Sequence, residues 1–309
     1  MQIKKYHQEI ALWNKAVAES RNGTFLFNRS YMDYHARRFD DHSLVIEQDD
    51  QVLGLLPANR MDDTLITHGG LTFGGLVLAK KTGASDVVNM CNALYAYCSQ
   101  EGIKKLIYKP VPHIYHTTPS EEDLYALHRL GSKAVRVDVS TTIKQSERLP
   151  LSKGRKHALS KAKKAGITLK KSQDYAAFWL MLIENLAQRH EVKPTHSLEE
   201  MQLLAAHFSQ IQLYMAYLND VPVAGVVIYD YGQVAHTQYI GLTDIARETG
   251  ALDALLEYLI SDVFIDRPYF SFGISTCNNG LYFNEGLAAQ KEMFGGRTTI
   301  LQWLELEIK

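Results

Sequence analysis

Residues 49–72 read DDQVLGLLPANRMDDTLITHGGLT, and residues 220–243 read DVPVAGVVIYDYGQVAHTQYIGLT. Laid over one another at one offset, they match at Asp49 and Asp220, Val52 and Val223, Gly54 and Gly225, and then at Gly70-Leu71-Thr72 and Gly241-Leu242-Thr243. A second block follows in both halves. Thr82-Gly83-Ala84-Ser85-Asp86 aligns with Thr249-Gly250-Ala251-Leu252-Asp253, and each opens an apolar-periodic stretch, DVVNMCNALYAYC and DALLEYLISDVF. Ordered matches at constant spacing, followed by a second ordered block, indicate one folding unit copied within the chain.

Outward from the repeat, the C-terminal half parses most clearly. ITLKKS reads as a strand, and YAAFWLMLIENLAQRH carries apolar residues at helical spacing. SLEEMQLLAAHF opens with Ser197 and Glu200 at capping-box spacing. IQLYMAYLND, VPVAGVVIYDY and QVAHTQYIGLT form a meander broken at Asn-Asp and Tyr-Gly turns. A helix, the strand YFSFGIS, a helix in NNGLYFNEGLAAQKEMF and the strand TTILQWLELEI complete it. The N-terminal half follows the same β-α-α-β-β-β-α-β-α-β order, with helices expected over 9–19 and 31–39 and single strands starting at Ser43, Gln51 and Thr64. The expected fold class is therefore α/β (α+β): two tandem domains, 1–147 and 148–309, each a mixed, largely antiparallel sheet flanked by helices. The last strand, 298–309, is free to return to the first domain.

At 309 residues, two domains are the default. Lys and Arg total 33 against 34 for Asp and Glu, so a polyanionic partner needs a local patch. Three cysteines without a CxxC indicate neither a disulfide framework nor a structural zinc site. No apolar run reaches a membrane span, and no leader pattern opens the chain, so the expected location is cytoplasmic or peripheral to the inner membrane. One patch is uneven. From Arg148 to Gln173 there is no acidic residue, and Lys153, Arg155, Lys156, Lys161, Lys163 and Lys164 fan around a narrow seam of Leu151, Ala158, Leu159, Ala162 and Ala165. Such a segment, 153–164, suits a phosphate-bearing partner: a coenzyme A tail, a nucleotide-linked lipid, tRNA or an anionic membrane surface.

Three stretches together resemble the FemAB-like branch of the GNAT acyltransferase superfamily. GRKHALSKAKKAGI is similar to the basic segment that opens the second domain there, and LTDIARETGALDALLEYLI lies where GNAT proteins place a phosphate-binding turn before the central helix. FGISTCNNGLYFNEGLAAQKEMFGG resembles the family's strand, Asn/Gly turn and helix ending in Lys-x-x-Phe-Gly, here Lys291, Phe294 and Gly295. The resemblance implies two tandem GNAT-like domains that transfer an acyl group from an activated donor to an amine or hydroxyl. It allows acyl-CoA or the aminoacyl-tRNA used by FemAB relatives that extend peptidoglycan precursors, and the half-present phosphate turn with the near-zero total charge favours acyl-CoA. The acceptor is expected to be a small or lipid-linked sugar or cell-envelope precursor, as in polysaccharide pathways, and no metal is expected. A non-catalytic GNAT-like binding module is the rival reading.

The residues carry these expectations individually. The resemblance assigns Lys291 to the oxyanion of the reacting carbonyl. Backbone N–H groups of a glycine turn at a helix start can hold pyrophosphate, which points to Arg247, Thr249, Gly250 and Ala251, with Arg155 and Lys156 adding charge, while Lys81-Thr82-Gly83-Ala84 stands at the equivalent place in the first domain and either turn is open to being the degenerate copy. His113, His116 and His236 are candidate general bases, and Glu285 is grouped with them. The small-residue run HGGLTFGG lets backbone approach a ligand closely, so His68, Gly70 and Thr72 are expected to line a cleft. Tyr31, Tyr239, Asn278, Asn279 and Tyr282 complete the expected substrate contacts. His113 and His116 lack a third ligand, which argues against a metal pair. Cys277 is read as structural, and the absence of Gly-x-Ser-x-Gly argues against a serine hydrolase.

Overall fold

Two hairpins with matching two-residue turns show the duplication at backbone level. Asp49 and Asp50 have φ of 50° and 59°, and Asn219 and Asp220 have φ of 50° and 63°. Such left-handed pairs join antiparallel strands with the right twist, and Asp and Asn tolerate the conformation. The computed structural model describes residues 1–190 and 194–309. It divides into a first unit, Met1–Val139 with Thr276–Tyr282 and Ile300–Lys309, and a second unit, Ser140–Ser275 with Phe283–Thr299.

In chain order the first unit holds β1 (Gln2–Lys5), α1 (Ile10–Glu19), α2 (Arg29–Met32), β2 (Asp40–Asp41), β3 (Leu44–Gln48), β4 (Gln51–Leu56), β5 (Asn59–Met61), β6 (Thr64–Ile66), β7 (Val77–Leu78), α3 (Ala84–Gln100), β8 (Lys105–Tyr108) and α4 (Glu122–Arg129). β9 (Lys133–Lys144) leads on to α5 (Lys153–Ala165), β10 (Thr168–Ser172), α6 (Tyr175–His190), α7 (Leu198–His207), β11 (Ile211–Leu218), β12 (Val221–Asp230), β13 (Val234–Leu242), α8 (Asp244–Thr249), α9 (Ala251–Tyr258) and β14 (Tyr269–Ile274). A small hairpin of β15 (Thr276–Cys277) and β16 (Tyr282–Phe283), α10 (Glu285–Glu292) and β17 (Arg297–Glu307) complete the chain.

In the second unit, β10 to β13 pair antiparallel in sequence order, β14 joins β13 in parallel, and residues 140–144 of β9 pair with β14. α9 buries Ala251, Leu255 and Leu256 against the sheet residues Ala224, Val226, Ile228 and Ala235. Its end widens into a π-helical turn, Leu259–Val263, where Gln145 donates to the carbonyls of Ile260 and Phe264. Such turns leave carbonyls unpaired, and the side chain supplies their partner. In the first unit, β3, β4 and β7 extend from β1, while β8 lies between β6 and the 304–307 segment of β17. α3 buries Val87, Met90, Cys91, Leu94 and Cys98, the stripe its helical period predicts.

The register corrects the residue-level repeat. Gln48 pairs with Gln51 across the first turn and Leu218 with Val221 across the second, so Asp50 rather than Asp49 occupies the place of Asp220. Gly54 and Gly225 therefore face opposite ways, since one residue of slip flips every side chain. A Cβ at Gly54 would meet Met90 of α3, whereas one at Gly225 would lie 2.5 Å from the Phe178 ring of α6. The second block holds: Gly83 and Gly250 both directly precede the first residue of a central helix, α3 and α9. A hydrogen-bond signature also recurs. Leu53 O accepts from Ala79 N and Thr82 Oγ1, and Val223 O accepts from Thr243 N and Thr243 Oγ1.

Two expected elements differ. The expected 31–39 helix is α2 followed by 3-10 turns to Arg38, broken where His35 leaves helical geometry. The strand expected from Thr64 is split into β6 and β7 by the loop 67–76. Phe178 fills the space over Gly225 and Gly241, whose Cβ would lie 3.2 Å from the same ring. Phe178→Ala is expected to cost about 3–5 kcal/mol of stability, read as a lower urea midpoint with an unchanged slope.

Candidate active site

Parallel strands β13 and β14 pair only from Val234–Tyr269 to His236–Ser271. Beyond that point the register of β14 with β9 slips between Ser271 and Ile274, and Gly273 takes φ +71°. β13 continues alone along β12 to Leu242, bulging next to Val227. The ladder thus opens into a fork within the second unit, and the backbone groups of β14 past the split turn to side-chain partners.

Two side chains from different elements meet at this fork. His236, the last paired residue of β13, has Nδ1 3.1 Å from Ser271 Oγ. Its ring lies against Gly273, where a Cβ would come within 3.2 Å of Cε1, so both the φ and the ring select glycine. Lys291 reaches in from α10, which Asn284 caps by accepting from Leu287 N. Its Nζ donates to Gly273 O at 2.9 Å and Ile274 O at 2.6 Å, leaving one N–H over. Burial pulls the Lys291 pKa down to about 8. Burial, with the Lys291 charge added, pulls His236 down to about 4. The fork therefore holds a neutral imidazole at neutral pH beside an ammonium that gives up its proton unusually easily.

The rest of the Lys-x-x-Phe-Gly motif is architectural. Gly295 has φ +98° and lies under the Leu149 carbonyl, Phe294 O accepts from Arg148 Nε, and the Arg155 guanidinium stacks 4.5 Å over the Phe294 ring.

The expected phosphate turn is closed. Gly250 has φ +75°, and a Cβ there would lie 2.5 Å from Ala158 O of α5. The Gly250 N–H is bonded to Ala246 O, Thr249 Oγ1 to Ile245 O, and Ala251 is buried. Arg155 pairs with Asp253 in the first turn of α9, and Arg247 with Asp244. α5 thus packs against the Gly250 side of this turn. Lys153, Lys156, Lys161, Lys163 and Lys164 are exposed, with no ion-pair partner among the described residues. Tyr239 bonds His196 Nδ1 through its hydroxyl at 2.6 Å and packs on Trp179 of α6, while Glu285 is exposed in the first turn of α10.

The remaining expected residues lie in the first unit. Here too β6 and β8 run parallel, over Thr64–Lys105 to Ile66–Ile107, and then part. By register, Lys109 occupies the place of Gly273. The loop 67–76 fills this fork. Lys109, only 1% exposed, donates through Nζ to His68 O at 2.8 Å and to Leu71 O, and its N–H bonds Thr67 Oγ1. Gly74 N returns to Lys109 O. His68 is buried with its pKa pulled down to about 3 by burial, and Gly70 is exposed, with no room for a Cβ beside His35 and Phe39. Thr72 is exposed, Tyr31 is buried against Phe25 and Tyr34, His113 is exposed, and His116 is buried with Nε2 on Val111 O. Asn278 and Asn279 form the exposed left-handed turn of the β15–β16 hairpin, and Tyr282 follows it. Sequence reasoning missed Lys109, whose signal was a lone Lys-Pro closing an apolar strand. It also missed Ser271 and Gly273, hidden inside FSFGIS. Among the described residues no group of three or more His, Cys, Asp or Glu side chains is placed to hold a metal.

The forks and central helices define a fold, the GNAT-like fold present twice, and the comparisons agree with it. A family model, Acetyltransferase (GNAT) domain, matches residues 151–278. Among solved structures, FemX superimposes with a TM-score of 0.68 at 10% identity, covering 99% of this chain and 97% of FemX. L-PGS from Bacillus licheniformis gives 0.64 at 13% identity, covering 99% and 93%. A tandem GNAT protein from the clavulanic acid biosynthesis pathway gives 0.53 at 10% identity, covering 100% and 98%. No curated protein matches the chain by sequence. The protein carries a GNAT domain within a FemAB-like, duplicated GNAT fold.

The pKa of His236 has a measurable consequence. It lies near 4 in the folded chain against about 6.5 unfolded, so between those values the unfolded state binds more protons and stability falls as pH falls. Wild type is expected to lose on the order of 1–2 kcal/mol more than His236→Gln between pH 7 and pH 4.5, compared by urea denaturation at both pH values.

Proposed function

We propose that the second unit transfers an aminoacyl group from an ester on tRNA to an amine or hydroxyl of a cell-envelope precursor. The observation that carries this reading is the fork with Lys291 and His236 at its throat. An extended acyl donor can lie along β13 beyond its split from β14, as an added strand would. Its carbonyl oxygen then takes the third N–H of Lys291, which balances the negative charge of the tetrahedral intermediate. With the His236 proton on Nδ1 and donated to Ser271, Nε2 keeps its lone pair and accepts the proton of the attacking group. The acceptor forms the new bond to the carbonyl carbon, the ester C–O bond breaks, and the imidazolium returns its proton to the departing 3′ oxygen.

The choice of donor rests on the closed turn. The FemAB resemblance allows acyl-CoA or aminoacyl-tRNA, and the packing of α5 against the Gly250 turn, where a CoA pyrophosphate is expected, supports the second. An ester on tRNA needs no such pocket. Transfer of radiolabelled amino acid from charged tRNA, assayed beside acyl-CoA, decides between them. Turnover with acyl-CoA alone would reverse the assignment of the donor.

Lys291→Ala is expected to lower kcat by about 10²–10³ with circular dichroism unchanged, by analogy with loss of one oxyanion donor. The rate profile of the wild type should rise through about pH 4 as His236 becomes neutral, and fall above about pH 8 as Lys291 loses its charge. A Lys291→Ala enzyme with wild-type turnover would remove the lysine from the mechanism.

A further inference from the structure

Lys291 holds its Nζ at the fork with two of its three tetrahedral directions taken, by Gly273 O at 2.9 Å and Ile274 O at 2.6 Å. The helix that carries the lysine is pinned at both ends. Before it, Asn284 N bonds Ser275 O and Asn284 Oδ1 accepts from Leu287 N. After it, Met293 O accepts from Ser152 N and Phe294 O from Arg148 Nε. Lys291 is only 9% exposed, so water competes little for its two carbonyls. All of these residues belong to the second unit.

An ammonium and an amine use this cradle differently. The ammonium has three N–H groups and offers the third to a donor carbonyl. The amine has two N–H groups and one lone pair. With both N–H groups kept by Gly273 O and Ile274 O, the lone pair takes the third direction. The cradle therefore aims either form at the same point, as a hydrogen-bond donor in one state and as a nucleophile in the other. Burial draws Lys291 from 10.5 down to about 8, so the amine is present near neutral pH. β14 faces it with the uncharged Gly273 and Ile274, and β13 with His236, which is neutral near pH 7.

We propose that Lys291 is a modification site: when an activated ester enters the fork with no acceptor bound, the lysine amine takes the acyl group itself. The step rests on the function proposed above, which puts the donor carbonyl against Lys291. Nζ bonds the carbonyl carbon, the ester C–O bond breaks, and the amine proton passes by way of His236 Nε2 to the departing oxygen. The product is an ε-N-acyl-lysine amide. It keeps one N–H for two carbonyls and has no charge to set against an oxyanion, so the site is lost after one such event. Productive turnover then requires the acceptor to be in place before the donor.

The test is to incubate the full chain with p-nitrophenyl acetate, an activated ester that needs neither tRNA nor acceptor, across a pH series. Acetylated lysines are mapped over time by peptide mass spectrometry. Near neutral pH, Lys291 should be acetylated at least about tenfold faster than the exposed Lys153 and Lys156 of α5. Its rate should climb through about pH 8, where turnover is expected to fall, and its preference should vanish in urea. Lys291 acetylated no faster than the α5 lysines, or at a rate flat across that range, overturns the proposal. Aminoacyl transfer from tRNA with Lys291 unmodified would overturn this proposal alone. Modified Lys291 without transfer from tRNA would overturn the choice of donor alone.

Discussion

A lysine ammonium closed off from water needs acceptors, and two parting strands leave carbonyls that need donors. In the second unit Lys291 meets both demands by gripping Gly273 O and Ile274 O. That grip fixes the lip of the fork, and several other features follow from it. Gly273 must be glycine to carry φ +71° beside the His236 ring. α10 must arrive at the right height, which its Asn284 cap and the Gly295–Leu149 close approach secure. The same burial that makes the ammonium costly to keep charged brings its pKa down to about 8 and holds His236 neutral.

The first unit meets the same physical problem with the opposite outcome. Its lysine, Lys109, lies on the strand itself and grips His68 O and Leu71 O of a loop that plugs the gap. Burial brings Lys109 to about pKa 7, and its ammonium lies 4.9 Å from the Trp303 ring. The two copies of the fold thus treat the fork differently, one filled by a loop and one entered by a side chain of α10, with a buried lysine fixing the edge in each.

Much of the architecture was legible because periodicity and turns survive duplication. The Ser197–Glu200 capping box, α6 from Tyr175 to His190 and both central helices are where apolar spacing puts them. Residue identities misled where they were read as register. Asp49 and Asp220 look equivalent, yet the turn residues place Asp50 at that position and turn Gly54 and Gly225 to opposite faces. Lys291 was accessible through its motif, and His236 as one histidine among several. The closure of the Gly250 turn was not, because it depends on Ala158 of a helix about ninety residues earlier meeting a backbone that a local pattern describes as open. His113 follows Pro110 and Pro112 on a short turn and is exposed there.

The route of the chain has a consequence for biosynthesis. Leu304 and Leu306 of β17 belong to the core of the first unit, and Leu304–Glu307 pair with β8. These residues are translated nearly two hundred positions after β8, behind all of the second unit. The first unit therefore cannot complete its sheet until Leu304–Glu307 emerge, while α5 to β14 can assemble ahead of them. A nascent chain stalled short of residue 300 would display an incomplete amino-terminal half to chaperones and proteases, so lesions at the carboxyl end would be felt at the opposite end of the polypeptide.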